Sequence, residues 1–303
     1  FEEESGLKLS MINYVRYYHI DFRTIYNKKL TFYTMCEREG LWQEEEHIFD
    51  DPFRILFHFC YVDSIKWIDF VFTELQVGKF NKLDSYSDEQ RIMVKMLYSS
   101  IWDKTPKTEG FIDETEALNS LFKDNYFVKE LIELLCLCKE NVDIVGRNPE
   151  LDYICPLEVY CTYTRDQALA ALGFNEDYTV SEGVKYFKDK NTYVLFTTLN
   201  KTDKFYSPTT AYNDYSISEK LFHWQSQSTT SDTSSTGQRY INHDKLSSNI
   251  LLFVREQKSD QFGPQAFIFL GKAHYVQHEG SKPMNIVWRL DNNIPATNKL
   301  ILG

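Results

Sequence analysis

Near Gly146-Arg147-Asn148-Pro149 the spacing of apolar residues changes, and this change constrains the fold more than any other feature of the chain. Upstream, apolar residues recur every three to four positions, the period of a helix face packed on a core. Leu7, Met11, Ile12, Val15, Tyr18, Phe22 and Ile25 form one such run. Ser87-Asp88-Glu89-Gln90 is a capping box, and it opens a second run through Ile92, Met93, Met96, Leu97 and Ile101. A third follows at Phe127, Val128, Leu131, Ile132, Leu135 and Cys138. Downstream, Gly and Pro interrupt this period and strand-like segments take over. They are Val184 to Phe187, Thr192 to Leu199, Ile250 to Arg255, Ala266 to Leu270, Ala273 to His278 and Asn285 to Leu290, with Asp189-Lys190-Asn191 as a short hairpin turn. One helix remains legible there, opened by the capping box Thr164-Arg165-Asp166-Gln167 and stopped at Gly173. No strand–helix alternation predicts a parallel sheet. The pattern predicts an α+β chain: an all-helical domain over residues 1–148, then a mixed, β-rich half-open barrel with one or two helices over residues 149–303.

The 303 residues, 43% of them hydrophobic, are enough for a full core in two domains. No run of about 18 apolar residues and no signal peptide is present, which predicts a cytoplasmic protein with no membrane partner. The first residue is Phe1 within a polar stretch, so the chain is expected to be part of a larger one. The six cysteines are scattered, form no Cys-x-x-Cys pair and read as reduced core thiols. The net charge of −11 is unevenly placed. Residues 1–150 hold 18 basic and 28 acidic side chains, against 15 and 16 in the rest, so a polyanion is expected to meet the second half. Glu44-Glu45-Glu46 and Asp50-Asp51 read as solvated faces.

Several catalytic signatures are absent. Gly263 and Gly271-Lys272 are too far apart for a phosphate-cradling loop, and Ala273 stands where a hydroxyl residue is needed. His243-Asp244-Lys245 begins a phospholipase-D-type nuclease pattern, but Ile250 occupies the place of its acid. His274 and His278 are four apart, a zinc spacing on a helix, in a segment that reads as a strand. His223, Ser226 and Asp232 lack the elbow that presents a serine nucleophile. The segment is read as non-catalytic, with no metal and no cofactor of its own.

The densest polar and aromatic cluster runs from Phe205 to His243, and nine of the thirteen residues from Ser226 to Gln238 are Ser or Thr. One reading makes the aromatics core and the Ser/Thr tract a flexible loop. The other makes the cluster a DNA surface: hydroxyls and Arg239 on phosphates, Gln225 and Asn242 on base edges, and an aromatic ring stacked on a base. The candidate residues are Tyr206, Thr209, Tyr212, Tyr215, Phe222, His223, Trp224, Gln225, Ser226, Gln227, Ser228, Thr229, Arg239, Tyr240, Asn242 and His243.

These stretches carry a resemblance. Gly183 to Tyr186, Phe205 to Tyr212, Leu221 to Thr229, Gly237 to His243, Leu251 to Glu256 and Phe269 through Ser281 resemble the C-terminal domain of bacterial DEAD/DEAH-box helicase proteins that begin with a phospholipase-D-like nuclease. The best-known arrangement is that of the SauUSI-type, type IV restriction enzymes, which are ATP-dependent and cut DNA containing 5-methylcytosine or 5-hydroxymethylcytosine. The likeness is strong from about Tyr160 onward. It is looser over Leu9 to Tyr26 and Leu30 to Gly40, which look like the helical connector to the motor. The resemblance implies that residues 149–303 recognise double-stranded DNA with a modified cytosine. It implies that the partners are the helicase and nuclease domains upstream in the same bacterial polypeptide, which would use the ATP and Mg. Burying one methyl group contributes only about 0.8 kcal/mol, so base flipping into a pocket is expected rather than groove reading. The alternative is a regulatory or docking module for the motor, without such a pocket.

Overall fold

The computed structural model describes residues 1–43, 47–177, 180, 182–200 and 214–294. The helical part comprises α1 (Glu2–Ser5), α2 (Met11–Tyr18), α3 (Arg23–Asn27), α4 (Phe32–Arg38), α5 (Pro52–Phe57), α6 (Ile65–Val77), α7 (Asp88–Ile101), α8 (Pro106–Glu109), α9 (Glu114–Ser120) and α10 (Asn125–Glu140). The capping box at α7 is formed as the sequence predicts: Gln90 N–H donates to Ser87 Oγ at 3.3 Å, and Ser87 N–H donates to Gln90 Oε1 at 3.0 Å. The periodic run from Leu7 to Ile25 is instead two helices. Ser10 caps α2, and His19 ends it in the left-handed conformation at φ 52°. Met11, Val15 and Ile25 are still buried, because the period records which face is covered and is silent on where the chain turns.

Helix α10 holds the N-terminal helices through two carboxylates on its packed side. Glu130, 1% exposed, accepts the N–H groups of Phe32 (2.8 Å) and Tyr33 (3.1 Å) at the start of α4. Glu133 accepts Ile12 N–H at 3.0 Å and the Tyr33 hydroxyl at 2.8 Å. These bonds take up donors that a helix start leaves without intrahelical partners.

After residue 148 come β1 (Thr162–Tyr163), α11 (Arg165–Ala171), β2 (Val184–Phe187), β3 (Thr192–Asn200), β4 (Tyr215–Ser216), β5 (Leu221–Gln225), α12 (Ser235–Ile241), β6 (Asn249–Gln257), β7 (Phe267–Glu279) and β8 (Asn285–Leu290). The strands make one mixed sheet in the order β2-β3-β6-β7-β8-β5-β4, with β1 on β7. Strands β2 and β4 are its two ends and do not pair with each other, so the sheet is not closed into a barrel. One pair, β3 with β6, is parallel, from Thr192↔Asn249 to Asn200↔Gln257. The crossover that makes it contains β4, β5 and α12 rather than one helix, which is why no strand–helix alternation marks it. The two strands expected at Ala266–Leu270 and Ala273–His278 are one, β7. It runs through Gly271 at φ +85°, where an added Cβ would lie 3.1 Å from Val159.

Alternation gives the sheet two apolar faces. Val194, Phe196, Leu251, Phe253, Phe267 and Phe269 join a buried cluster that includes Trp67, Val71, Leu97 and Leu135 of the helical part. Tyr193, Leu195, Ile250, Leu252 and Leu270 join a second cluster around Trp224, Tyr240 and Trp288. A buried tie reinforces the first junction: Asp63 accepts Thr162 N–H at 2.6 Å and its hydroxyl at 2.9 Å. Burial pushes that carboxyl up to about 6. None of the six cysteines is disulfide-bonded. No helix among the described residues is long and apolar enough to cross a membrane.

Candidate functional site

Strand β5 carries the centre of the cluster singled out in the sequence, and its two-residue period divides those residues. Phe222 and Trp224 point into the second core, 0% and 4% exposed. His223 and Gln225 lie on the other face. Trp224 meets Tyr240 edge-on, with ring centroids 5.5 Å apart and planes at 88°, and Tyr240 is fully buried. Little of the Trp224 ring is left open to solvent. Ser226 is also buried, and its Oγ accepts Met284 N–H at 2.9 Å. His243 is a core histidine. Its Nδ1 lies 3.0 Å from the Ser248 carbonyl, and its Nε2 accepts Tyr275 N–H at 3.0 Å. Burial holds its pKa below the usual imidazole value. Phe222, Trp224, Ser226, Tyr240 and His243 are thus buried, a placement the sequence leaves open because period-2 spacing tells which residues share a face but not which face is core.

The remaining candidates are more accessible. Tyr215 is 51% exposed and stacks on His223 at 4.6 Å and 13°. Ser228 and Thr229 are exposed. Gln227 accepts the hydroxyls of Thr230 (3.3 Å) and Tyr240 (3.4 Å). Arg239 lies on α12, with Nε on the Ser235 carbonyl at 3.3 Å, and Asn242 Nδ2 donates to the Gln238 carbonyl at 3.0 Å. Tyr206, Thr209 and Tyr212 lie outside the described residues.

The Ser/Thr tract is a built turn. Thr230 and Ser231 are buried, and Ser234 Oγ caps α12 by accepting Gly237 N–H at 3.1 Å. A Cβ on Gly237 would stand 1.9 Å from the Ser231 carbonyl oxygen. Alanine would gain about 1 kcal/mol of helix propensity and lose about 3 kcal/mol to the clash. Gly237→Ala is expected to destabilise the protein by about 2 kcal/mol, read from the urea midpoint; unchanged stability would mean that α12 shifts freely.

A cavity of about 930 Å³ lies between the helical part and the sheet. Gln225, Gln227 and Trp224 reach its wall from one side, and Phe53, Phe57 and Tyr61 from the other. Its wall carries two oriented guanidinium groups. Arg165 lies over Phe196 at 4.8 Å and donates to the carbonyls of Val180 (2.8 Å) and Glu182 (3.1 Å). Arg255 lies over Phe267 at 4.3 Å and donates to Thr198 Oγ1 and the Gln265 carbonyl, both at 3.0 Å. Gln225 is fixed by its N–H on Asp214 (2.8 Å) and by Nε2 on Asn285 (3.0 Å). Five basic residues (Lys29, Arg54, Arg165, Arg255, Lys258) and three acidic ones (Asp166, Glu182, Asp214) line the cavity. The sequence reading omitted every residue from the helical part. No local signal marks Lys29, Phe53 or Arg54, whose place in the wall depends on how the two halves pack.

A metal is poorly served by the nearest donor cluster. His243, Asp244 and His274 bring ligand atoms within 4.8 Å of one another, but both nitrogens of His243 are committed to the backbone. The two nitrogens of His274 meet different carboxylates, Asp244 and Asp291, each at 2.8 Å. His278, its partner in the four-residue spacing, bonds the Tyr275 hydroxyl at 2.6 Å instead.

Residues 157–298 match the family described as "Domain of unknown function (DUF3427)". This stretch is a DUF3427 domain. It contains every strand of the sheet together with α11 and α12, so the cavity is walled by the DUF3427 domain on one side and by helices outside it on the other. No curated protein matches the chain. Among solved structures, Arabidopsis thaliana SUVH6 in complex with SAM is similar at 14% identity and a TM-score of 0.30. The match covers 78% of this chain and 40% of that one.

Proposed function

We propose that the DUF3427 domain recognises DNA, and that the cavity against the helical part receives a modified cytosine flipped out of the duplex. The observation that carries this reading is the cavity itself: aromatic walls, two guanidinium groups held over rings, and an excess of basic groups in a chain of net charge −11. Its volume falls in the usual range for ligand sites, about 300–1,000 Å³. A flipped base is read by polar groups on its Watson–Crick edge and by contact with aromatic or apolar side chains. Gln225, held from two sides, and the rings of Phe53 and Phe262 are the groups suited to those tasks. In this reading the motor and nuclease belong to other domains of a modification-dependent restriction enzyme, and this segment supplies target choice.

The test is binding to matched duplexes carrying cytosine, 5-methylcytosine or 5-hydroxymethylcytosine at fixed moderate salt. We expect several-fold tighter binding to the modified duplexes and a rise in fluorescence of 2-aminopurine placed beside the modified base. Gln225→Ala and Ala266→Trp, the second filling the cavity, should abolish the preference. Trp224→Ala is uninformative, because it opens a hole in the core. Equal affinity for all three duplexes would reduce the role to binding without regard to modification. No binding at any salt would make the domain a docking module for the motor.

A further inference from the structure

We infer that the helical part holds the DNA strand leaving the cavity, along a groove over α4 and α5. This deepens the proposed function and rests on that reading. A groove of about 540 Å³ continues from the cavity mouth and shares Lys29, Phe53 and Arg54 with it. It then runs past Thr34 and Arg38. Residues 1–150 carry ten more acidic than basic side chains, yet this groove holds three basic groups (Lys29, Arg38, Arg54) and two acidic ones, Asp50 and Asp51.

The three cations are exposed and weakly engaged. Among the described residues neither Lys29 nor Arg38 has a side-chain partner. Arg54 has a single contact, to Asp51 at 4.0 Å, in an exposed pair of the kind that contributes little. Phe53 is half-buried at the junction of groove and cavity, where an unstacked neighbouring base needs an apolar face. A polyanion running over Phe53 with its phosphates toward Lys29, Arg38 and Arg54 satisfies all of these groups. The DUF3427 domain then selects the base, and the helices fix the backbone.

The experiment compares wild type with the triple variant Lys29→Ala, Arg38→Ala, Arg54→Ala across a salt series, on modified and unmodified duplexes. Each phosphate contact contributes about 0.9 to the slope of log K against log salt. We expect the slope to shrink by about 2–3 and affinity to fall equally on both duplexes, so that the preference for the modified one survives. A double variant of arginines outside the groove, Arg16→Ala with Arg91→Ala, should keep the wild-type slope. A wild type that discriminates between the duplexes, beside a triple variant with unchanged slope and affinity, would overturn this inference and leave the cavity reading standing. A wild type that binds no duplex would remove both.

Discussion

Trp288→Ala should cost about 3–5 kcal/mol of folding free energy, one of the two largest effects expected for a single change in this chain. Trp288 is fully buried on β8, with ring centroids of Trp224, His243, Tyr240 and Tyr275 between 5.7 and 6.4 Å away. Alanine leaves a hole ringed by aromatic side chains of β5, β7, α12 and the turn after it, so little collapse can offset the loss. Among the described residues the indole Nε1 has no hydrogen-bond partner. A buried, unsatisfied donor of this kind costs about 1–3 kcal/mol, so Trp288→Phe removes that penalty together with some volume. We expect the phenylalanine variant to lose less than about 2 kcal/mol. Urea titrations of the three proteins decide this. A phenylalanine variant as damaged as the alanine one would mean that ring volume alone matters.

The second large effect is a pH dependence centred on Glu130. Burial pushes its carboxyl up to about 7, against the opposing pull of the Phe32 and Tyr33 N–H groups. Because the folded-state value is raised, the protonated form is the one folding favours. Its stabilising contribution is fully present below the ordinary carboxyl range and is lost as pH rises through about 7. At 1.36 kcal/mol per pH unit, this amounts to about 3 kcal/mol between pH 4.5 and 7.5. Glu130→Gln removes the ionisation but keeps an acceptor for one N–H, so the variant starts out less stable at low pH and loses less as pH rises. Asp63 contributes a slope of the same sign, with its pKa raised to about 6, but it is present in both proteins and cancels in the comparison. The stability difference between wild type and variant should therefore shrink or reverse by about 3 kcal/mol across that range. A difference independent of pH would mean that Glu130 ionises in the folded state as it does in water.

What was legible in the sequence had local causes. Both capping boxes, at Ser87 and Thr164, involve residues three apart and need no tertiary information. The strands at Val184–Phe187 and Asn285–Leu290 fall where apolar and β-branched residues predict them, because each lies within one regular segment. What was not legible depended on distant partners. Nothing near His19 announces its left-handed turn, and nothing near Thr192 announces that its neighbour will be Asn249 in parallel register. The candidate site divides in the same way. A polar and aromatic cluster on β5 and α12 was visible, but not that Trp224 and Tyr240 would be buried in the core beneath it. The cavity beside them draws Phe53, Phe57 and Tyr61 from a segment more than a hundred residues away.

The sheet has one apolar face against the helices and the other against its own aromatic core, and β3, β6 and β7 belong to both. These strands act as a party wall. Force applied on one side cannot be relieved there alone, since every second residue of the same strand is locked into the other side. The change of pattern near Gly146 is therefore a change of secondary structure across which one buried cluster continues. A change in the packing between helices and sheet would for this reason also be felt around Trp288.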